Sequence, residues 1–276
     1  MGATKIHWAT RVWNPVTGCT KISPGCANCY AEKMAKRLAG RYGYPELEPF
    51  WVTEHEDRLN EPGEWKKPQR VFVCSMGDLF HSDVSPDFLL RVFGRMNAYK
   101  QHTFLVLTKR PDNALQFCQD YGLIPSRFGP SPSGNVWPAN VWAGVTAENQ
   151  EMADERIPIL LQIPAAVRFV SVEPILGPVD LRKIVLKPAE FPERGQPPVL
   201  INAFANDYRI GVDWVICGGE SGQKVRPMKL EWAESLHDQC KASGVFFFMK
   251  QMSGRTKAER ESIPAHIDVQ QFPVVM

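Results

Sequence analysis

Three of the seven cysteines crowd into one stretch, Gly18-Cys19-Thr20-Lys21-Ile22-Ser23-Pro24-Gly25-Cys26-Ala27-Asn28-Cys29-Tyr30, with the spacing C-x6-C-x2-C. Thiols so placed are metal ligands in waiting. A closed structural zinc site takes four protein ligands. His7 or a distant cysteine is available as a fourth, but no second C-x-x-C or H-x-x-x-H pair follows. Three thiolates with an open fourth position suit a [4Fe–4S] cluster whose last iron binds an exchangeable group. Gly18, Pro24 and Gly25 keep the segment irregular, and residues 31–38 are good helix formers that run up to Gly40. The thiols therefore lie on a loop entering a helix N-terminus, a place that favours thiolates and anionic clusters. Cys74, Cys118, Cys217 and Cys240 are scattered; Cys74 and Cys217 sit inside apolar runs and read as small buried hydrophobes.

Something must hold that loop. Apolar runs at 71–75, 103–107, 141–145, 168–172, 214–217 and 245–249 lack alternation, as strands buried on both faces of a parallel sheet do. A more ambiguous run, 7–13, precedes the cysteines. Helical stretches at 86–99, 113–121, 147–161 and 230–243 fall between the strands, the last stopping at Gly244. The repeated strand–helix rhythm predicts an α/β fold of six to seven parallel strands in one domain spanning residues 1–276. Two segments interrupt it, an aromatic and proline-rich one at 40–68 and an irregular one at 186–213.

Active sites of parallel α/β folds form at the C-terminal ends of strands. Here those ends carry Ser75-Met76-Gly77-Asp78, Thr108-Lys109-Arg110-Pro111, Thr146-Ala147-Glu148-Asn149, Glu173-Pro174 and Gly218-Gly219-Glu220-Ser221-Gly222. Each has an ordinary reading as well. Asp78 or Asp83 suits a cap on the helix beginning at Pro86, Lys109-Arg110 a solvated pair or an anion clamp, and Glu173 a satisfied turn. Asp78, His81 and Asp83 suit helix capping and hydrogen bonds to neighbouring groups better than a divalent metal. Trp13, Trp137 and Trp142 read as packing residues. Together with a three-thiol loop, such a rim suits a zwitterionic nucleoside cofactor.

Composition narrows the classes. A net charge of +2 gives no polybasic field that would announce non-specific nucleic-acid or membrane binding. With 44% apolar and 22% charged residues, wholesale disorder is excluded. No apolar run approaches the ~20 residues of a spanning helix, and the start has no signal-peptide core, so a cytoplasmic location (the host cytoplasm for a viral protein) is expected.

Trp13-Asn14-Pro15-Val16-Thr17-Gly18-Cys19 and Gly25-Cys26-Ala27-Asn28-Cys29-Tyr30-Ala31 resemble the three-Cys-motif family of phages and prophages. So do Ser75-Met76-Gly77-Asp78-Leu79-Phe80, Leu107-Thr108-Lys109-Arg110-Pro111, Gly144-Val145-Thr146-Ala147-Glu148-Asn149, Ser171-Val172-Glu173-Pro174 and Gly218-Gly219-Glu220-Ser221-Gly222. That family is similar to radical S-adenosylmethionine (SAM) enzymes, which have a partial (β/α) barrel with the cluster on the loop after the first strand. The first cysteine gap is six residues here, against the usual three.

The resemblance implies a [4Fe–4S] cluster on Cys19, Cys26 and Cys29, with SAM on the fourth iron. It implies that Gly77 and Asp78 meet the methionyl amine, Glu148 or Asn149 the ribose, and Gly218, Gly219 and Glu220 the adenine side. An external electron donor is implied too. The implied substrate is modified thymidine in phage DNA, with an N-linked glycinyl group isomerised to a C-linked one, a hypermodification that protects the genome from host restriction. Nucleic-acid repair or RNA modification, or a non-enzymatic Zn or Fe–S binding partner protein, are the alternatives. Lys21, Lys33, Lys36, Arg37, Arg41, Lys66, Lys67 and Arg70 would line phosphate contacts, or simply form solvated faces.

Overall fold

The computed structural model describes residues 4, 6–123, 136–187, 197–204 and 211–274. In chain order its elements are β1 (Arg11–Trp13), β2 (Val16–Thr17), α1 (Tyr30–Leu38), β3 (Thr53–Glu54), β4 (Arg70–Val73), α2 (Pro86–Ala98), β5 (Thr103–Thr108), α3 (Pro111–Asp120) and β6 (Val141–Thr146). There follow α4 (Gln150–Leu160), β7 (Arg168–Val172), β8 (Ile184–Lys187), β9 (Val199–Ile201), β10 (Trp214–Gly218), α5 (Leu230–Ser243), β11 (Phe246–Gln251) and α6 (Lys257–Glu261). A seven-stranded sheet has the open order β1-β4-β5-β6-β7-β10-β11. The pairs β1–β4, β4–β5, β7–β10 and β10–β11 run parallel. The α/β class with six to seven parallel strands expected from the sequence is the one observed. Every residue of β6, β7 and β10 is buried, which is why these runs carry no polar alternation.

The chain groups into two compact units, Met1–Gly144 with Ile163–Ala166, and Val145–Gln162 with Val167–Met276. In the first, α2 begins at Ser85, whose hydroxyl accepts from the Phe88 amide at 3.3 Å, with Pro86 opening the helix. Neither Asp78 nor Asp83 caps it, contrary to expectation. Phe88, Leu89, Val92, Phe93 and Met96 form its buried face. The 40–68 segment is strapped to the cysteine loop: β3 pairs antiparallel with β2, and the His55 amide donates to Pro15 O at 2.8 Å.

In the second unit, α5 ends at Gly244 in the left-handed region (φ +67°), the stop read from the sequence. The described parts of the 186–213 segment include β9, which pairs antiparallel with β8. Its residues 188–196 and 205–210 lie outside the described residues. Among the described residues no helix is long and apolar enough to cross a membrane.

Candidate metal centre

The cysteine loop leaves β2 through Gly18, which has a φ of +85° and donates its amide to Met76 O at 2.9 Å. A Cβ at Gly18 would stand 2.1 Å from Trp51 O, and one at Gly77 would stand 2.8 Å from Gly18 O. Two glycines thus let three backbones meet. That crossing fixes where the next residue, Cys19, begins, and its amide donates to Phe50 O at 3.1 Å. Cys26 closes a short 3-10 turn from Pro24, with the Ser23 hydroxyl 3.7 Å from its sulfur. The Cys29 amide donates to Cys26 O, and Cys29 is the residue from which α1 starts. All three thiols are free and half-buried.

Beside them lies a buried polar hub. Asp78 is 5% exposed and accepts four hydrogen bonds. Its Oδ1 takes the Phe80 amide at 3.1 Å and the Thr108 hydroxyl at 2.7 Å. Its Oδ2 takes the Lys109 amide at 3.1 Å and Arg110 Nη1 at 3.2 Å. The same Arg110 nitrogen donates to Cys19 Sγ at 3.3 Å, and Nη2 reaches Thr20 O and Oγ1 at 3.0 and 2.8 Å. Thr20 Oγ1 also lies 2.8 Å from His81 Nε2, and His81 Nδ1 accepts the Asp83 amide. Because Nδ1 accepts, the proton of a neutral ring sits on Nε2, pointing at Thr20. Burial, reinforced by Arg110, lowers the His81 pKa and keeps that ring neutral.

Electrostatics separate the thiols. Burial, with Asp78 adding to it, pushes Cys19 up to about 11 against the pull of Arg110. At Cys26 burial also raises the pKa, but the Ile22 backbone, Lys109 and Ser23 outweigh it and the thiol falls below its ordinary value. Among the described residues no three His, Cys, Asp or Glu side chains close on a single-ion site. What fits a cubane is the donor set, three thiols from one loop, one for each of three irons. An arginine already directed at one sulfur fits the same assignment.

The second unit holds the other strand-end residues. Glu148 is fully buried against Arg156, Nη1 to Oε2 3.1 Å. Asn149 caps α4, its Oδ1 accepting the Met152 amide at 2.9 Å. Glu220 accepts from the Arg226 amide, Nε and Nη2 at 2.8, 3.2 and 2.7 Å. Glu173 pairs with Lys250. Gly218 backs onto Glu173, and a Cβ at Gly219 would strike Ser253 N at 2.2 Å.

A family model described as "Protein of unknown function (DUF5131)" matches residues 3–270. The chain belongs to the DUF5131 family. No curated protein matches it. Among solved structures, a mutant of spore photoproduct lyase is similar with a TM-score of 0.47 and 10% identity, over 90% of this chain and 78% of that one.

In this DUF5131 chain the first unit brings Cys19, Gly77 and Asp78 together. The Asp78 carboxylate accepts from Thr108, Arg110 and two backbone amides, which makes it an anchor of the loop. Asn149 and Glu220 likewise have structural work as a helix cap and an arginine clamp, and Glu148 is the buried partner of Arg156. Lys109-Arg110 is no solvated pair, since Arg110 is 8% exposed and ion-paired. Of the basic residues expected at phosphates, Lys21 and Lys36 both pair with Glu32, and Arg70 is a half-buried member of β4. Thr20, Arg156, Arg226 and Lys250 were not among the residues expected at the site. Arg156 had a signal, lying eight residues after Glu148 and so on the helix that follows it.

Proposed function

We propose that this DUF5131 chain is a radical SAM enzyme acting on modified thymidine in DNA, converting an N-linked glycinyl group to its C-linked isomer. One observation carries the reading: three free, half-buried thiols on a single loop that the Gly18–Gly77 crossing fastens to the end of β4. The motifs that resemble the three-Cys family extend the support over residues 13–222. Cys19, Cys26 and Cys29 would hold a [4Fe–4S] cluster, which with SAM supplies a carbon-centred radical when bound.

The chain's own residues do the rest. Arg110, Asp78 and Thr20 hold the Cys19 end of the loop, and Cys29 is tied to the packed face of α1 through Ala31, Ala35 and Met76. With the Asp78 carboxylate so engaged, the backbone at Gly77 would be left to meet the methionyl amine. Radical chemistry suits the substrate because a glycine Cα–H is too weakly acidic for side-chain bases at neutral pH. In polymeric DNA the modified base must be extruded from its stack to reach the centre.

The test is twofold. Reduced, iron-loaded protein should convert SAM to 5′-deoxyadenosine, and a genome lacking this gene should accumulate the N-linked adduct by nucleoside mass spectrometry. An unchanged nucleoside profile with retained 5′-deoxyadenosine formation redirects the activity to repair or RNA modification. One zinc per chain and no SAM turnover leaves a binding module.

A further inference from the structure

Arg110 is held by Thr20 and Asp78 where it meets the Cys19 thiol. Its Nη2 is fixed by two oxygens of Thr20 at 2.8 and 3.0 Å, and its Nη1 is shared between Asp78 Oδ2 at 3.2 Å and Cys19 Sγ at 3.3 Å. A planar guanidinium anchored on three sides presents its N–H to the sulfur in one orientation, something a flexible ammonium cannot do. Two further cations near the loop are Lys109, which acts on Cys26, and Lys21, half exposed on its ion pair with Glu32. Arg110 is 8% exposed, so its field is the least screened of the three.

We infer that Arg110 is a positioning residue that sets the reduction potential of the cluster held through Cys19, with Asp78 as its counterweight. This rests on the cluster assignment above and adds to it which side chain tunes the centre. Reduction adds one electron to the cluster and moves no proton in this scheme. A cationic N–H donor on a ligand sulfur stabilises the more negative, reduced state and so raises the potential. The Asp78 carboxylate on the same nitrogen offsets part of that charge. The two residues therefore pull in opposite directions, although they belong to one hydrogen-bonded unit.

The experiment is a dithionite titration of the anaerobically reconstituted full-length protein against redox dyes, followed by electron paramagnetic resonance, with iron counted in every sample. Arg110→Gln is expected to shift the one-electron equilibrium about tenfold toward the oxidised state, a fall of about 59 mV. Arg110→Lys keeps the charge but loses the fork, and falls by less. Asp78→Asn is expected to move the potential upward. Equal potentials in wild type and Arg110→Gln, or shifts of one sign in Arg110→Gln and Asp78→Asn, overturn the inference. Should Arg110→Gln lose iron, Arg110→Lys decides, and an unshifted potential there overturns it. A wild-type protein that binds no cluster sinks the proposed function itself, and this inference with it.

Discussion

Arg156 and Glu148 form an ion pair closed to solvent, Nη1 to Oε2 3.1 Å, with side chains 1% and 0% exposed. The same nitrogen donates to Thr146 O at 2.8 Å, so one arginine ties the end of β6 to the middle of α4. Removing one partner of such a pair leaves a buried charge without its counterion and costs about 3–5 kcal/mol. Arg156→Met should lower the urea midpoint accordingly. The double variant Arg156→Met with Glu148→Gln should recover much of the loss, because neither charge is then stranded. A near-wild-type midpoint in the single variant would contradict the pairing.

Asn149 tests whether a residue expected at the SAM ribose is instead a helix cap. Asn149→Ala should cost about 1 kcal/mol of stability, the usual loss for an N-cap. SAM affinity, measured calorimetrically on iron-loaded protein, should stay unchanged. A large loss of affinity at unaltered stability would restore the ribose role.

Gly18 should tolerate no side chain. At φ +85°, with a Cβ 2.1 Å from Trp51 O, Gly18→Ala must displace backbone and not merely a rotamer. The expected cost exceeds about 1 kcal/mol. Iron retention should fall with it, since Cys19 is the next residue. Thermal unfolding and iron content of the same sample read both.

Stability should depend on pH through His55. Burial, reinforced by Arg58, lowers its pKa from 6.5 to about 4, and Nε2 lies 2.8 Å from the Thr17 hydroxyl. Between those values the unfolded chain binds a proton that the folded chain refuses, so acid favours unfolding. The contribution is complete above pH 6.5 and is lost as pH falls toward 4. Urea midpoints at pH 7 and pH 5 should therefore differ more for the wild type than for His55→Gln. Parallel pH dependence in both would contradict the assignment.

Much of the sheet was legible because its strands are buried on both faces. The runs 103–107, 141–145, 168–172 and 214–217 lie within β5, β6, β7 and β10. Tertiary pairing decided what propensity could not. β2 and β3, two residues each, exist because the 40–68 segment folds back on the cysteine loop. The helix expected at 147–161 starts only at Gln150, since Asn149 turns its side chain to cap it.

The candidate site was legible in its thiols and glycines, whose types and spacing announce their use. It was illegible in its charges. Arg110 looks like half of a solvated Lys-Arg pair until Asp78, 32 residues earlier, is seen against it. The sequence alone does not pair Glu148 with Arg156 or Glu220 with Arg226, the arginines found on them. A charged side chain shows its sign in the sequence, but its partner is settled only when the chain folds.

The most direct measurement is the iron and sulfide content of anaerobically purified protein, with each cysteine replaced by alanine in turn. Wild type should carry about four irons and four sulfides per chain, the content of a cubane. Cys19→Ala, Cys26→Ala and Cys29→Ala should each lose them, while Cys118→Ala and Cys240→Ala, at buried thiols elsewhere, should retain them. One zinc per chain, or full iron in Cys26→Ala, would contradict the cluster assignment.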